Sequence, residues 1–471
     1  MKTFFLSCLL IMITVSSFAD EIISQTSHQT MIGGQSVSYS ATTGFIPMRA
    51  QDGKETGKIF YVFYQREGVD LDERPITFAF NGGPGSASIW LHMGAFGPKR
   101  IINAQEGQLP CPPYRWIENN DSLLDVTDLV FIDPIGTGFS RPAQTDSKDF
   151  YNIEVDIWSV GDFIRDFVSL NSRWKSPKYV AGESYGTLRA CGLADYLLSQ
   201  HGLYLNGLIL ISCAIDFQTL DFVAVDNELP FSLFLPSYAA TAWYHHRLDS
   251  DLTLDEVVQG ARDFALDVYA PALMRKGKVP ASLYPEIAKW TGLSLDLINR
   301  NDGLIDDQTF FVNLLGDEKK AVGRFDGRLS GQLAWPRTVQ NYYDPSEWQI
   351  EGVFTASFNA YLAEELGCKL PWPRYKIIAN LPWAFGPGCP NKMPQLRRAL
   401  VLNPEMRIFT ACGYFDLATP FAAAERCFSR LWTPHDSTVV FGYYEGGHMF
   451  YTNPAALKKF KADLVKFFDR K

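Results

Sequence analysis

A serine stands between two glycines in Gly182-Glu183-Ser184-Tyr185-Gly186, after the strand-forming run WKSPKYV and before the helically spaced LRACGLADYLLSQ. A serine hydroxyl is a weak nucleophile until a base removes its proton. A sharp strand-to-helix turn would leave the hydroxyl exposed, which is the arrangement of a nucleophile elbow. Five residues are a short pattern. It gains meaning only if a histidine, an acid and oxyanion donors are carried to the same end of the same sheet.

The histidines are His28, His92, His201, His245, His246, His435 and His448. A base for Ser184 must sit on a loop at the carboxyl ends of parallel strands, where an elbow emerges. His448 meets that condition, because it follows the strand-like TVVFGYY through Glu445-Gly446-Gly447. His435 precedes the same strand and is expected at the opposite edge, and His245 and His246 fall in a helical stretch. Asp416 is the matching acid, placed after RIFTAC and Gly413-Tyr414-Phe415. The order Ser184, Asp416, His448 is that of hydrolases built on a doubly wound sheet. Taken singly, Asp416 could be a turn residue and His448 a satisfied polar group. Three such residues in order at three strand ends point to acyl transfer.

An oxyanion hole has its own candidate in Asn81-Gly82-Gly83-Pro84-Gly85, just after the strand-like PITFAF. One donor is expected from the backbone of Tyr185, after the nucleophile, and the other from Gly83. The loop lacks the Gly-Lys-Ser/Thr ending of a phosphate loop, and Arg141 stands where a dinucleotide fingerprint after Gly136 and Gly138 needs a third glycine. The chemistry needs no metal or organic cofactor.

The elements that must position these residues follow from the apolar pattern. KIFYVFYQ, PITFAFNGG, DLVFIDPIG, KYVAGES and LNGLILISCAID read as strands, some of them continuous apolar runs of the kind buried parallel strands show. YNIEVDIWSVGDFIRDFVSLNSRW has the period of an amphipathic helix. The pattern predicts an α/β chain with a doubly wound, mostly parallel sheet over 20–216 and 376–471, interrupted by a helical cap over 217–375.

Residues 1–19 read as a signal peptide, with Lys2, an apolar run from Phe4 to Val15, and the small residues Ser17 and Ala19 at a cleavage site. Export to a periplasm or the medium is therefore expected, ahead of a lysosome-like compartment. No later run is long enough to span a bilayer, which takes about 20 apolar residues. Seven cysteines follow the leader: Cys111, Cys191, Cys213, Cys368, Cys389, Cys412 and Cys427. Their odd number leaves at least one without an intramolecular partner, and no Cys-x-x-Cys pair suggests zinc. The net charge of −9 and the lack of a basic block argue against nucleic acid as a partner. The oligomeric state is left open.

NGGPGSAS, FIDPIGTGFS, GESYGT, GYFDLATP and GGHMFY, in this order, resemble the serine carboxypeptidase family of α/β-hydrolases, with wording most similar to bacterial members. The resemblance implies Ser184, Asp416 and His448 as the triad, Gly83 and Tyr185 as oxyanion donors, and Asn81 and Glu183 as ligands of a substrate's terminal carboxylate. It implies a peptide substrate, with a small acyl substrate as the alternative. Three positions depart from the pattern. Ala95 stands where the family has a second glutamate that shares the Glu183 proton, Ala79 replaces a tryptophan, and Ser86 replaces a cysteine. Glu183 then has two readings, a carboxylate ligand or a buried elbow residue. The function has three: a carboxypeptidase, an esterase or acyltransferase with the same triad, or a binding protein on a hydrolase scaffold.

Overall fold

The computed structural model describes residues 20–101, 112–144, 147–224, 226–249, 251–276, 279–333, 342–371, 373–431 and 438–469. The expected signal peptide, His435 and Cys111 lie outside the described residues.

A ten-stranded sheet forms the centre. Nine of its strands are β1 (Glu21–Ile32), β2 (Gln35–Arg49), β3 (Glu55–Arg66), β4 (Ile76–Phe80), β5 (Asp128–Ile132), β6 (Lys178–Ser184), β7 (Gly207–Cys213), β8 (Arg407–Gly413) and β9 (Val439–Tyr444). The tenth is the two-residue strand Arg141–Pro142 against β3. The order is β1-β2-β3-β5-β4-β6-β7-β8-β9. The six strands from β5 to β9 in that order pair in parallel, while β1, β2 and β3 add an antiparallel edge. This is the expected α/β-hydrolase architecture. The β1–β2 hairpin is an addition to the strands read from sequence.

Parallel strands need both faces covered, and the side chains alternate accordingly. Ile76, Phe78 and Phe80 of β4, with Leu208 and Leu210 of β7, pack on one face with the helices Ile153–Leu170, Tyr185–His201 and Met393–Leu402. Ile209 and Ile211 point the other way, toward the C-terminal helix Pro454–Asp469. A third cluster belongs to the helices between Leu235 and Asn313, among them Leu235–Tyr244, Leu254–Phe264 and Tyr284–Thr291. The helix Pro345–Glu364 behaves differently from these. It buries Val353, Phe354, Phe358 and Tyr361 with the second face of the sheet.

Because β4, β6, β8 and β9 run in parallel, their carboxyl ends share one edge. Asn81 follows β4, Ser184 ends β6, Asp416 follows β8 and His448 follows β9. All described cysteines carry free thiols, and all but Cys389 are buried. Among the described residues no helix is long and apolar enough to cross a membrane.

Candidate active site

Ser184 sits at φ +58° and ψ −130°, between the end of β6 and the helix that starts at Tyr185. A residue with a side chain held in such a region costs about 1–3 kcal/mol and persists only where the surroundings enforce it. The flanking glycines are part of that enforcement. A Cβ on Gly182 would lie 2.3 Å from the Gly186 carbonyl oxygen, so the turn closes only without one. The Tyr185 N–H stands at the first position of the helix, where a backbone N–H has no intrahelical acceptor.

The glycine loop reaches this turn at backbone distance. A Cβ on Gly82 would stand 2.5 Å from the Tyr185 nitrogen and 2.8 Å from that of Gly186. Gly83 lines the same cavity as Ser184. A buried network holds loop and elbow together. Arg189 donates from Nε to Asp156 at 2.8 Å and from Nη1 to the Asn81 carbonyl at 2.8 Å, and Tyr185 Oη donates to Asp156 at 3.0 Å. A Gly82→Ala substitution is therefore expected to push loop and elbow apart. Misplacement of a reacting group by about 1 Å can cost about 100-fold. The rate of Ser184 labelling by a fluorophosphonate should fall by that factor, with the melting temperature reporting separately on the fold.

The expected acid and base, Asp416 and His448, are in contact. His448 Nδ1 lies 2.9 Å from Asp416 Oδ2, and both residues are buried. Asp416 Oδ1 accepts from the Ala418 and Thr419 N–H groups at 2.8 Å each, which fixes the carboxylate plane. Thr419 Oγ1 donates to Asp416 Oδ2 at 2.8 Å and lies 3.1 Å from His448 Nδ1. Burial disfavours the imidazolium, but the Asp416 charge and hydrogen bond, with Glu183 behind them, outweigh it and raise the His448 pKa. A base of this kind accepts a serine proton and holds it on Nε2 while Asp416 keeps Nδ1 protonated.

Loop 323–327 joins the base loop to the acid loop. The His448 N–H donates to the Phe325 carbonyl, the Leu417 N–H to the Arg324 carbonyl, and the Gly327 N–H to the Phe415 carbonyl. The Phe325 ring lies 5.0 Å from the imidazole, centroid to centroid. Asp344 and Ser346 accept from the Phe325 N–H and anchor the loop in turn.

Ser184, His448, Asn81, Gly83 and Glu183 line one cavity of ≈ 180 Å³. Glu183 is buried and accepts a hydrogen bond from Tyr451 Oη at 2.6 Å. Burial pushes its pKa up to about 7, against the downward pull of His448, Tyr451 and Asn81. Asn81 Oδ1 accepts from the Leu91 N–H at 3.1 Å, which turns its amide nitrogen toward Glu183. Ala95, at the position of the family pattern's second glutamate, is buried, and a Cβ on neighbouring Gly94 would meet the Tyr451 ring at 2.7 Å. The Tyr451 ring thus borders the Gly94–Ala95 turn and gives its hydroxyl to Glu183.

The structure therefore gathers Asn81, Gly83, Glu183, Ser184, Tyr185, Asp416 and His448 at one sheet edge. The other described histidines lie elsewhere. His92 stacks on Phe131 in the second cluster, where burial lowers its pKa to about 3. His201 pairs with Asp162, and His245 bonds to the Gly327 carbonyl. Sequence reasoning missed Thr419, Tyr451 and loop 323–327. Thr419 and Tyr451 stand inside motifs that were read, GYFDLATP and GGHMFY, and their spacing from Asp416 and His448 was the available signal. The loop gave none.

Residues 32–252 match a family model described as serine carboxypeptidase. That stretch contains Asn81, Gly83, Glu183, Ser184 and Tyr185 and ends before Asp416 and His448. The chain is similar to vitellogenic carboxypeptidase of Aedes aegypti, 30% identical over 155 residues, covering 32% of this chain and 29% of that protein. It is similar to serine carboxypeptidase-like 13 of Arabidopsis thaliana, 24% identical over 183 residues, covering 36% and 40% respectively. It is also similar to the pheromone-processing carboxypeptidase KEX1 of Saccharomyces cerevisiae, 30% identical over 155 residues, covering 30% and 20%. The matched stretches span well under half the length of these relatives. Among solved structures, a carboxyl esterase from Bacillus coagulans aligns with TM-score 0.37 at 12% identity, over 91% of this chain and 98% of that one. An epoxide hydrolase from Aspergillus niger aligns with TM-score 0.34 at 13% identity, over 90% and 78%.

Proposed function

We propose, on the match of residues 32–252 to the serine carboxypeptidase model, that the chain is an exported, bacterial-type serine carboxypeptidase. It removes the last residue of a peptide whose C-terminus is free. The observation that carries this reading is the pairing of His448 with Asp416 beside a strained Ser184, in a cavity that also holds a buried Glu183. Export rests on Lys2, the apolar run from Phe4 and the small residues before Asp20.

In the first half-reaction His448 Nε2 takes the Ser184 hydroxyl proton as Oγ attacks the scissile carbonyl carbon. Negative charge builds on the carbonyl oxygen, where the Gly83 and Tyr185 N–H groups receive it. The C–N bond breaks, the proton passes from His448 to the leaving amine, and an acyl ester remains on Ser184. In the second half a water attacks the ester and gives its proton to His448. The serine oxygen leaves with that proton, and the shortened peptide departs as an acid.

Glu183 gives the reading a pH signature. Below about pH 7 it is protonated and donates a hydrogen bond to the substrate's carboxylate. Above that it ionises and repels the same carboxylate. KM for a blocked dipeptide with a free terminus should therefore rise as pH passes 7, whereas KM for its amide should not. Glu183→Gln keeps a neutral donor and should abolish the rise. Equal turnover of acid, amide and simple ester at every pH would favour the second reading, an esterase or acyltransferase. Ala95 and Ala79 are the observations on its side, because the partner glutamate and the tryptophan of the family pattern are absent there.

A further inference from the structure

Arg324 lies on the loop that joins the acid and base segments. Two cavities meet at Ser184. One is the ≈ 180 Å³ space with Asn81 and Glu183. The other is a space of ≈ 450 Å³ that reaches past Tyr185 to Phe217 and Asp307. Gly83, Ser184 and Arg324 are the residues that line both. Among the described residues, Arg324 is also the only lysine or arginine lining either cavity. It forms no ion pair among the described residues, although its charge is felt by Asp307, Glu347 and His448.

The backbone of Arg324 is fixed. Its N–H donates to Asp344 at 3.1 Å, and its carbonyl accepts from Leu417 in the segment that carries Asp416. Its guanidinium carbon lies 5.2 Å from the centre of the Phe325 ring, which itself packs against His448. A cation that lines both cavities is available to an anionic group of a ligand in contact with Ser184. Beside Arg324, the first cavity offers that anion uncharged donors, Asn81 and protonated Glu183. Glu183 is neutral at best, and Glu347 lines the wall with a like charge.

We propose that Arg324 is a specificity-determining residue that binds the terminal carboxylate of the substrate's leaving residue, and that Glu347 opposes it by competing for the guanidinium. Arg324 thereby stands in for the glutamate missing at Ala95. A planar guanidinium suits this task, since it offers two parallel donors to a carboxylate. The inference rests on the carboxypeptidase reading above.

The test measures kcat/KM for a blocked dipeptide acid and for the matching amide, and reports their ratio. Hydrogen bonds to charged groups have a strength that corresponds to about 10- to 100-fold in such a ratio. Arg324→Gln should lower the acid-to-amide ratio by that factor, through KM of the acid. Arg324→Lys should recover part of it. Glu347→Gln should change the ratio in the opposite direction and raise it. Fluorophosphonate labelling of Ser184 in each variant reports whether the nucleophile is still assembled. An unchanged ratio in a labelled Arg324→Gln protein overturns the assignment and leaves the carboxypeptidase reading standing. A wild-type protein that labels but prefers neither acid nor amide overturns both. If Arg324→Gln fails to fold, Glu347→Gln decides, and a ratio that stays the same or falls overturns the assignment.

Discussion

Replacing Ser184 with alanine should lower turnover by about a millionfold, and His448→Ala should cost about as much. The two losses match because the groups act as one device. Without Oγ there is no atom to carry the acyl group, and without the imidazole the hydroxyl keeps its proton at the moment of attack. The serine change adds no new backbone demand, since alanine meets the same strain at φ +58° that serine already bears. Its folded state should therefore persist, and circular dichroism with a thermal melt checks this. The double variant should be barely worse than either single one. A fluorophosphonate should label wild type and leave Ser184→Ala untouched. Activity near wild type in either single variant would remove the assignment, and labelling at another serine would move it.

Asp416→Asn should lower turnover by about ten-thousandfold while leaving the fold intact. The direction follows from the hydrogen bonds around the carboxylate. Oδ1 already accepts from the Ala418 and Thr419 N–H groups, so the amide oxygen of an asparagine would keep that place. Its NH₂ group would then take the place of Oδ2, facing His448 Nδ1. Two donors cannot share that contact, so Nδ1 must become the acceptor and the imidazole proton must move to Nε2. The base would then present an N–H where it needs a lone pair. The charge that raises the His448 pKa would vanish with the same substitution. The acidic limb of the pH–rate profile should shift to lower pH, because a base of lower pKa sheds its proton earlier. A loss of less than about tenfold, with the limb unmoved, would mean that Asp416 does not orient His448.

Much of this arrangement was legible in the chain because it obeys local rules. Ile76, Phe78 and Phe80 alternate with residues of the opposite face, and β6 runs directly into a glycine-flanked turn, so strands and elbow announce themselves over short windows. The parallel order of the sheet follows from alternation with helices. Parallel order in turn brings the segments after β4, β6, β8 and β9 to one edge, which is why Asn81, Ser184, Asp416 and His448 could be picked by position. The β1–β2 hairpin was not read in advance. Its residues mix exposed and buried positions, and the two-residue Gly33-Gly34 turn between Ile32 and Gln35, which sets the register locally, was the signal that went unread.

The sequence by itself determined which groups could carry acyl-transfer chemistry and at which end of the sheet they must emerge, because that depends on residue type, period and chain order. Only the tertiary structure decided how those groups are charged and constrained. Glu183 is held near neutrality by burial and met by Tyr451, a residue from after β9. Loop 323–327 supplies Phe325 against the imidazole and Arg324 in the cavity that Ser184 lines. Desolvation and contact depend on what surrounds an atom in space. Residues far apart in the chain set those surroundings, and no local pattern records them.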